Sequence, residues 1–294
     1  MIKAKSVNSI ENDFEVIRLC CENSGFCEKI LFDNPFSGTA VRAIGHSIVK
    51  TCFDACEAAL KVIWKLKSSP NGTLPWIKMK DIRSKGREYG IPVEERVVAG
   101  VITDLKKELD KNGVDIATLA VFLKYVAFFL EWIIGAIEEE LKNHEGESRD
   151  VLEVLFNLKR IASCCEELSI HIMRAENDMR ERGYFDTDMC FLLIPNEDSR
   201  SEEELDRIYA PRSSNSRKSL LPVYIINILK CESNKENPLI QKEIRELIKF
   251  KYELEVDRKA VGRCLATLVD DDLNVWTDEN RTGYWYSEER PDWE

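Results

Sequence analysis

The sequence predicts a mainly helical protein in two parts: an N-terminal helical bundle and a C-terminal module of three helices followed by a short β-hairpin. Two observations predict this organisation. From Ile10 to about Tyr184, apolar residues recur at spacings of three and four, with glycine or proline at the breaks. From Asn196 to Ser219, serine, arginine and glutamate replace the apolar residues, as is typical of a linker. We therefore predict a bundle at 1–195, a charged linker at 196–218 and a second domain at 219–294.

The helices of the bundle follow from the apolar spacing and from start and stop residues. Pro92 lies where a missing backbone N–H is harmless, and Glu94 and Glu95 face the positive end of the helix that it opens. Asp115 is a capping residue for the next helix. The run Phe191–Ile194 is short and apolar, and it is either an added strand or a segment docked on the bundle. The predicted helices are 9–23, 37–68, 76–87, 92–111, 115–143 and 147–182.

The most apolar segment of the chain is Leu119–Ile137, which Lys124 and Glu131 interrupt. A membrane-crossing helix needs about 20 uncharged residues, so we predict a buried helix and no membrane association. Its aromatic residues are expected in the core, a ligand-sensing pocket being the alternative. These aromatic residues are Tyr125, Phe128, Phe129 and Trp132.

No secretory signal is evident, and the ten cysteines do not form the framework of a small secreted domain. We therefore expect free thiols and a cytoplasmic protein.

The C-terminal module begins with an apolar helix over Ser219–Lys230. A second helix is predicted to begin at Asn237-Pro238, and a turn follows at Tyr252–Glu255. Asp257 is the expected N-cap of a third helix. This third helix would bury Val261, Leu265 and Leu268 and expose Arg258, Lys259, Gly262 and Arg263.

Two short strand-like runs, Leu273–Trp276 and Gly283–Tyr286, follow the third helix and are joined by a polar segment. Helix, helix, turn, helix and hairpin, in this order, make a winged helix-turn-helix, in which the hairpin is the wing. The predicted fold class is therefore mainly α, with an N-terminal helical bundle and a C-terminal winged helix-turn-helix.

The module resembles the winged helix of WYL-type bacterial transcriptional regulators. The resemblance rests on Gln241–Ile244, Val256–Lys259 and Gly283–Trp285, which occur in the family's order, and it covers about 70 of the 294 residues. It implies that the third helix enters the major groove of DNA, with the basic residues of that helix on the DNA and Arg281 near the wing tip.

The basic residues of the module are the candidate DNA-binding residues. Arginine suits bidentate contact with guanine, and lysine and arginine position phosphates. The segment from Lys242 to Arg263 holds seven bases against five acids, and Arg217 and Lys218 could form a flexible basic arm before the first helix. A solvated helix face, or a surface for protein, is the alternative interpretation. The candidates are Arg258, Lys259, Arg263, Lys242, Arg281, Arg217 and Lys218.

A formal charge of −11 opposes indiscriminate coating of nucleic acid, because affinity for phosphates comes from lysine and arginine. Any DNA contact must therefore be local. Three scattered histidines, and the absence of a CxxC pair or of a nucleotide-binding glycine motif, predict no enzymatic activity, no metal and no cofactor.

These observations predict a DNA-binding transcriptional regulator whose partner is duplex DNA. Regulators of this kind usually read two half-sites as homodimers, and the bundle would serve dimerisation, sensing or protein-partner binding. The alternative is a non-enzymatic adaptor whose winged helix contacts protein rather than DNA.

Overall fold

A computed structural model of the chain describes residues 4–33, 36–67, 77–112, 116–142, 149–181, 189–190, 219–278 and 282–289. The described residues are mainly helical, with a three-stranded antiparallel sheet and one pair of two-residue strands. They divide into two compact units. The first contains the described residues within 1–79 and 102–211, and the second contains those within 80–101 and 212–294.

The first unit is built on long helices that enclose one core. The elements are α1 (Ala4–Asp33), β1 (Phe36–Ser37), α2 (Gly38–Lys67), the part of α4 (Val93–Asn112) from Ile102 onward, α5 (Ile116–Lys142), α6 (Arg149–Glu181) and β2 (Met189–Cys190). Helices α1 and α6 pack against each other, as do α2 and α5, while α1 also packs against α2 and α5 against α6. Their packed faces are made of aliphatic and aromatic residues that are almost fully buried, such as Ile17, Leu60 and Phe122. Strand β1 pairs antiparallel with β2, with Phe36 opposite Cys190.

Helix α5 has the length and the apolar composition of a membrane-crossing helix, and 61% of its most apolar 18-residue stretch is buried within the protein. Of the aromatic residues predicted to lie in the core, Phe129 is fully buried, and its ring centroid lies 5.5 Å from that of the half-buried Trp132. Phe128 is 44% exposed, so the expectation of core packing is wrong for this residue. Consecutive turns of α5 thus bury one side of the helix and leave Phe128 on the other.

The apolar spacing predicted most of these helices to within a few residues of their bounds. Helix α1 extends well beyond the predicted 9–23 at both ends. The helix predicted at 76–87 is instead a series of short turns, a 3-10 turn at Met79–Asp81, α3 (Ile82–Lys85) and a 3-10 turn at Gly86–Tyr89. It stops there because Gly90 adopts a left-handed conformation, with φ of 68°. The run Phe191–Ile194 and the linker at 196–218 lie outside the described residues.

The second unit joins three C-terminal helices and a small sheet. The elements of this unit after residue 212 are α7 (Leu221–Glu232), β3 (Leu239–Ile240), α8 (Gln241–Tyr252), α9 (Arg258–Asp270), β4 (Val275–Thr277) and β5 (Gly283–Tyr286). Strand β5 lies in the middle of the sheet, between β3 and β4, and pairs antiparallel with both. Trp276 of β4 lies opposite Trp285 of β5, and Ile240 of β3 lies opposite Gly283.

The predicted hairpin is observed, but strand β3 was not predicted. The second helix was expected to begin at Asn237-Pro238, whereas α8 begins at Gln241. The reason is that Leu239 and Ile240 are extended and pair with β5, more than 40 residues later in the chain. Two residues are too few to show the alternating pattern of a strand, so the sequence gives no local sign of this pairing.

The boundary of the second unit differs from the predicted 219–294, because residues 80–101 belong to it as well. Val97 of α4 is buried in the same apolar cluster as Ile225 and Ile228 of α7 and Leu265 of α9. The sequence assigned this segment to the bundle at 1–195 because its helical pattern continues that of its neighbours. Its burial against α7 and α9 is a contact between distant parts of the chain.

Gly283 is expected to be necessary for the close approach of β3 and β5. A Cβ atom at Gly283 would lie 2.7 Å from Cβ and 2.9 Å from Cγ of Pro238, whose ring cannot rotate away. Gly283→Ala should therefore lower the free energy of unfolding of this unit by about 1–3 kcal/mol. The measurement is hydrogen exchange of the β5 backbone amides, which should become faster.

The matched control for Gly283→Ala removes the obstacle. In the double variant Pro238→Gly with Gly283→Ala, the added methyl group no longer meets the ring, so the second substitution should cost clearly less than it does alone. An equal cost in both backgrounds would show that the contact with Pro238 is not the cause.

Candidate nucleic-acid interface

Helix α9 begins where the sequence predicted, with Asp257 at the N-cap position. The backbone of Asp257 is extended, and its carbonyl accepts hydrogen bonds from the amides of Ala260 at 3.0 Å and Val261 at 3.1 Å. Among the described residues, its carboxylate makes no capping hydrogen bond. The expected inward residues of α9 are almost fully buried, which confirms the predicted face. The basic side of the helix consequently faces away from the core.

Three predicted DNA-binding residues, Arg258, Lys259 and Arg263, are exposed on α9. In the part of the chain that the structure describes, no carboxylate forms an ion pair with any of them. The Nε atom of Arg263 donates a hydrogen bond to the Lys259 carbonyl at 3.3 Å. The first two turns of α9 therefore carry positive charge that no acidic side chain in the described part of the chain neutralises through an ion pair.

The other predicted candidates divide into one that the structure describes and three that it does not. Lys242 is exposed in the first turn of α8, and its Nζ atom lies 3.9 Å from Oε1 of Glu246, a long and solvated ion pair. Arg281, Arg217 and Lys218 lie outside the described residues.

Gln241, the first residue of α8, brings the beginnings of α8 and α9 together. Its Nε2 atom donates a hydrogen bond to the Arg258 carbonyl at 2.5 Å. Lys242, which follows Gln241, is therefore held near the basic first turn of α9. The amide of Ile240 also donates to Oε2 of Glu243 at 2.9 Å, which satisfies one N–H at the start of α8.

Gly262 lies where Gln241 crosses α9, which gives a physical reason for glycine inside this helix. A Cβ atom at Gly262 would lie 2.9 Å from Nε2 of Gln241. Glycine costs a helix about 1 kcal/mol relative to alanine, and here the missing side chain makes room for the hydrogen bond between the two helices. The sequence alone showed only the cost.

The effect of Gly262→Ala on stability is expected to depend on Gln241. In the natural chain, the gain in helix propensity of about 1 kcal/mol is offset by loss of the Gln241 hydrogen bond, so stability should change little. In a Gln241→Ala background, Gly262→Ala should raise the free energy of unfolding by about 1 kcal/mol. Hydrogen exchange of α9 measures both, and additive effects would contradict the proposed contact.

The loop between β4 and β5 is closed by Asp278. Its Oδ1 atom accepts a hydrogen bond from the backbone amide of Thr282 at 2.6 Å, and its Oδ2 atom accepts one from the Thr282 hydroxyl. These hydrogen bonds from Thr282 lower the pKa of the Asp278 carboxyl. Asp278 is therefore a structural residue of the loop.

Sequence reasoning did not find the arginines that hold the other end of α9. The guanidinium of Arg96, a residue only 1% exposed, donates to the carbonyls of Arg83 (at 3.2 Å and 2.8 Å), Asp272 (at 3.0 Å) and Asp271. Its charge lies at the negative end of the α9 dipole. Burial lowers the pKa of Arg96, and the nearby Asp271 opposes this shift.

Two further arginines pair with the acids that follow α9. The Nε atom of Arg83 lies 2.8 Å from Oδ2 of Asp271, and Arg87 forms an ion pair with Asp272. The acidic end of α9 is thereby partly neutralised, while its basic start is not. No signal in the sequence links these residues to α9, because more than 180 positions separate each arginine from its partner.

Within the described ranges, no three or more histidine, cysteine or acidic side chains are placed to hold a metal ion.

Comparison with known proteins gives no match for this chain among family models, curated proteins or solved structures.

Proposed function

We propose that the C-terminal unit is a winged helix-turn-helix that binds duplex DNA, and that the protein is a DNA-binding transcriptional regulator. The observation that carries this proposal is the first half of α9, where three basic side chains are exposed and, among the described residues, form no ion pair with an acidic side chain. The order of α7, α8, α9 and the β4–β5 hairpin is that of a winged helix-turn-helix.

In the proposed complex, the N-terminal half of α9 lies in the major groove. Arg258 and Arg263 would contact guanine edges or phosphates, and Lys259 a phosphate, since a guanidinium fork is the better match to the two acceptors of guanine. The start of α8, with Lys242, would lie on the backbone of one strand. Gly262 leaves a gap between these basic side chains and reads no base itself.

The hydrogen bond from Gln241 to the Arg258 carbonyl supports this arrangement, because it sets the start of α8 relative to the start of α9. The arginines at the far end of α9 also support it. By pairing with Asp271 and Asp272, Arg83 and Arg87 reduce the repulsion that these carboxylates would exert on DNA phosphates.

The N-terminal bundle would provide dimerisation, sensing or partner binding. A symmetric homodimer would present two α9 helices to successive major grooves, about 34 Å apart along the duplex. The proposed mechanism is reversible occupancy of DNA, governed by the state of the bundle.

The test is binding of the intact protein to pooled random duplex DNA at low and at moderate salt. We expect binding at low salt that weakens as salt rises, because lysine and arginine release counterions from the phosphates. Absence of binding at low salt, by protein shown to be folded by circular dichroism, would overturn the proposal.

A second candidate function is that of a non-enzymatic adaptor, in which the same unit contacts a protein. Phe250 of α8 is 82% exposed and Ile240 is 45% exposed, and aromatic side chains such as that of Phe250 are enriched at protein–protein interfaces. The DNA-binding measurement separates the two functions. If the folded protein does not bind DNA, a Phe250→Ala variant compared with the natural chain in partner capture becomes the next experiment.

A further inference from the structure

The first unit contains a cluster of buried cysteines that the proposed DNA-binding function does not use. Seven cysteines on α1, α2 and α6 are free thiols and buried. Three of them, Cys52, Cys56 and Cys165, have no exposed surface. The other four are Cys20, Cys21, Cys27 and Cys164.

Two of these thiols touch. The Sγ atoms of Cys52 on α2 and Cys165 on α6 lie 3.4 Å apart, in a hydrogen bond between the two sulfurs. The pair joins α2 to α6, and its two cysteines are 113 positions apart in the chain. Movement of the two sulfurs toward each other by little more than 1 Å would reach a disulfide bond length of about 2.05 Å.

Both groups of the pair are held as thiols. The hydrogen bond with Cys165, together with burial, raises the pKa of Cys52; the hydrogen bond with Cys52 lowers the pKa of Cys165, but burial and the neighbouring thiols together outweigh it, so this pKa is raised as well. Either sulfur can donate the hydrogen bond between them, so ionisation of one thiol places a thiolate beside the other. A thiolate and a neighbouring thiol are the two components that stepwise disulfide formation requires.

We propose that Cys52 and Cys165 are a redox modification site, at which a peroxide converts the touching thiols of α2 and α6 into a reversible disulfide. In the first step, one of the two sulfurs, as its thiolate, attacks one oxygen of the peroxide. The O–O bond breaks, that cysteine becomes a sulfenic acid, and hydroxide leaves with the electron pair. In the second step, the sulfur of the other cysteine attacks the sulfenic acid sulfur, the S–O bond breaks, and water forms with the proton of the attacking thiol.

Both sulfurs are fully buried, so the site takes a small oxidant such as hydrogen peroxide and excludes a bulky one. The disulfide would hold α2 and α6 together and close a loop that contains α4 and α5. Opening of the bundle would then require movement of both helices together. The thermal midpoint of the oxidised bundle is therefore expected to exceed that of the reduced one.

The experiment uses the full chain in a Cys231→Ser background, since Cys231 is exposed and would join molecules to each other. Reduced protein is treated with hydrogen peroxide, blocked with N-ethylmaleimide under denaturing conditions, and digested with trypsin without reduction. We expect peptide 51–61 linked to peptide 161–174, with the link removed by dithiothreitol.

Each of the two peptides holds two cysteines, so fragmentation of the linked species and four variants assign the bond. Cys52→Ser and Cys165→Ser should abolish the link, whereas Cys56→Ser and Cys164→Ser, in the same helices, should retain it. In Cys52→Ser, Cys165 should stop at the sulfenic acid and be captured by dimedone.

The proposal is overturned if the folded natural chain gives no link between these peptides, or if fragmentation places the bond on Cys56 or Cys164. Because fragmentation of the natural chain assigns the bond by itself, a variant that fails to fold does not decide the outcome.

Discussion

Arg96→Met is expected to lower the free energy of unfolding of the C-terminal unit by about 3–5 kcal/mol. The arginine is 1% exposed, and its guanidinium donates to three backbone carbonyls, those of Arg83, Asp271 and Asp272. A hydrogen bond from a charged donor contributes about 1.5–3 kcal/mol. Removal of the guanidinium also leaves the three carbonyl oxygens without this donor. Methionine fills a similar volume but donates no hydrogen bond.

The measurement is hydrogen exchange of the amides of α9, which open together with the unit. A loss of about 4 kcal/mol corresponds to exchange roughly a thousandfold faster, because each 1.4 kcal/mol is a factor of ten. Arg96→Lys should recover only part of the loss, since an ammonium group cannot reach three carbonyls with the geometry of a planar fork.

The matched control for Arg96 is Arg87→Met. Arg87 has a side chain that is 53% exposed, and it pairs with the carboxylate of Asp272. Exposed ion pairs contribute about 0–1 kcal/mol, so exchange of α9 should change by less than tenfold. Equal effects of the two substitutions would contradict the assigned role of Arg96.

The second large effect is expected for DNA binding. The triple variant Arg258→Ala, Lys259→Ala and Arg263→Ala should bind duplex DNA at least about a hundredfold more weakly than the natural chain, since each such contact is worth about 1–3 kcal/mol. Each lost phosphate contact should also reduce the slope of log affinity against log salt by about 0.9. Fluorescence anisotropy of a labelled random duplex over a salt series measures both quantities.

A charge-matched control separates the α9 surface from net charge. The variant Lys235→Ala, Lys249→Ala and Lys251→Ala also removes three positive charges from this unit, but at exposed positions outside α9. Lys249 and Lys251 already pair with Glu255 and Glu232. We expect the DNA affinity of this variant to fall by less than tenfold. If both triple variants bind equally, the first half of α9 is not the DNA-binding surface.

Most of the fold was predictable from local patterns. Spacings of three and four gave the helices of the bundle, and the same periodicity predicted which side of α9 is buried and which is basic. Asp257 occupies the N-cap position and marked the start of α9 to the residue, although its carboxylate makes no capping hydrogen bond among the described residues. These features depend on neighbours within one or two turns, which is the range that a single sequence reports.

The candidate interface was predictable in part. The exposure of Arg258, Lys259 and Arg263 follows from the helical period, but the reason for Gly262 does not. Glycine at position 262 is favourable because of Gln241, which lies on another helix and whose amide occupies the space of the missing side chain. From the sequence, the same glycine was only a cost to the helix.

The sequence by itself determined the helical class, the bounds of most helices and the basic side of α9, because all of these are set by local periodicity and capping. Only the tertiary structure decided that residues 80–101 join the C-terminal unit, that Leu239–Ile240 form a strand, that Arg96 is buried at the end of α9 and that Cys52 meets Cys165. Each of these depends on a contact between residues more than 40 positions apart, and burial or hydrogen bonding with so distant a partner leaves no local pattern.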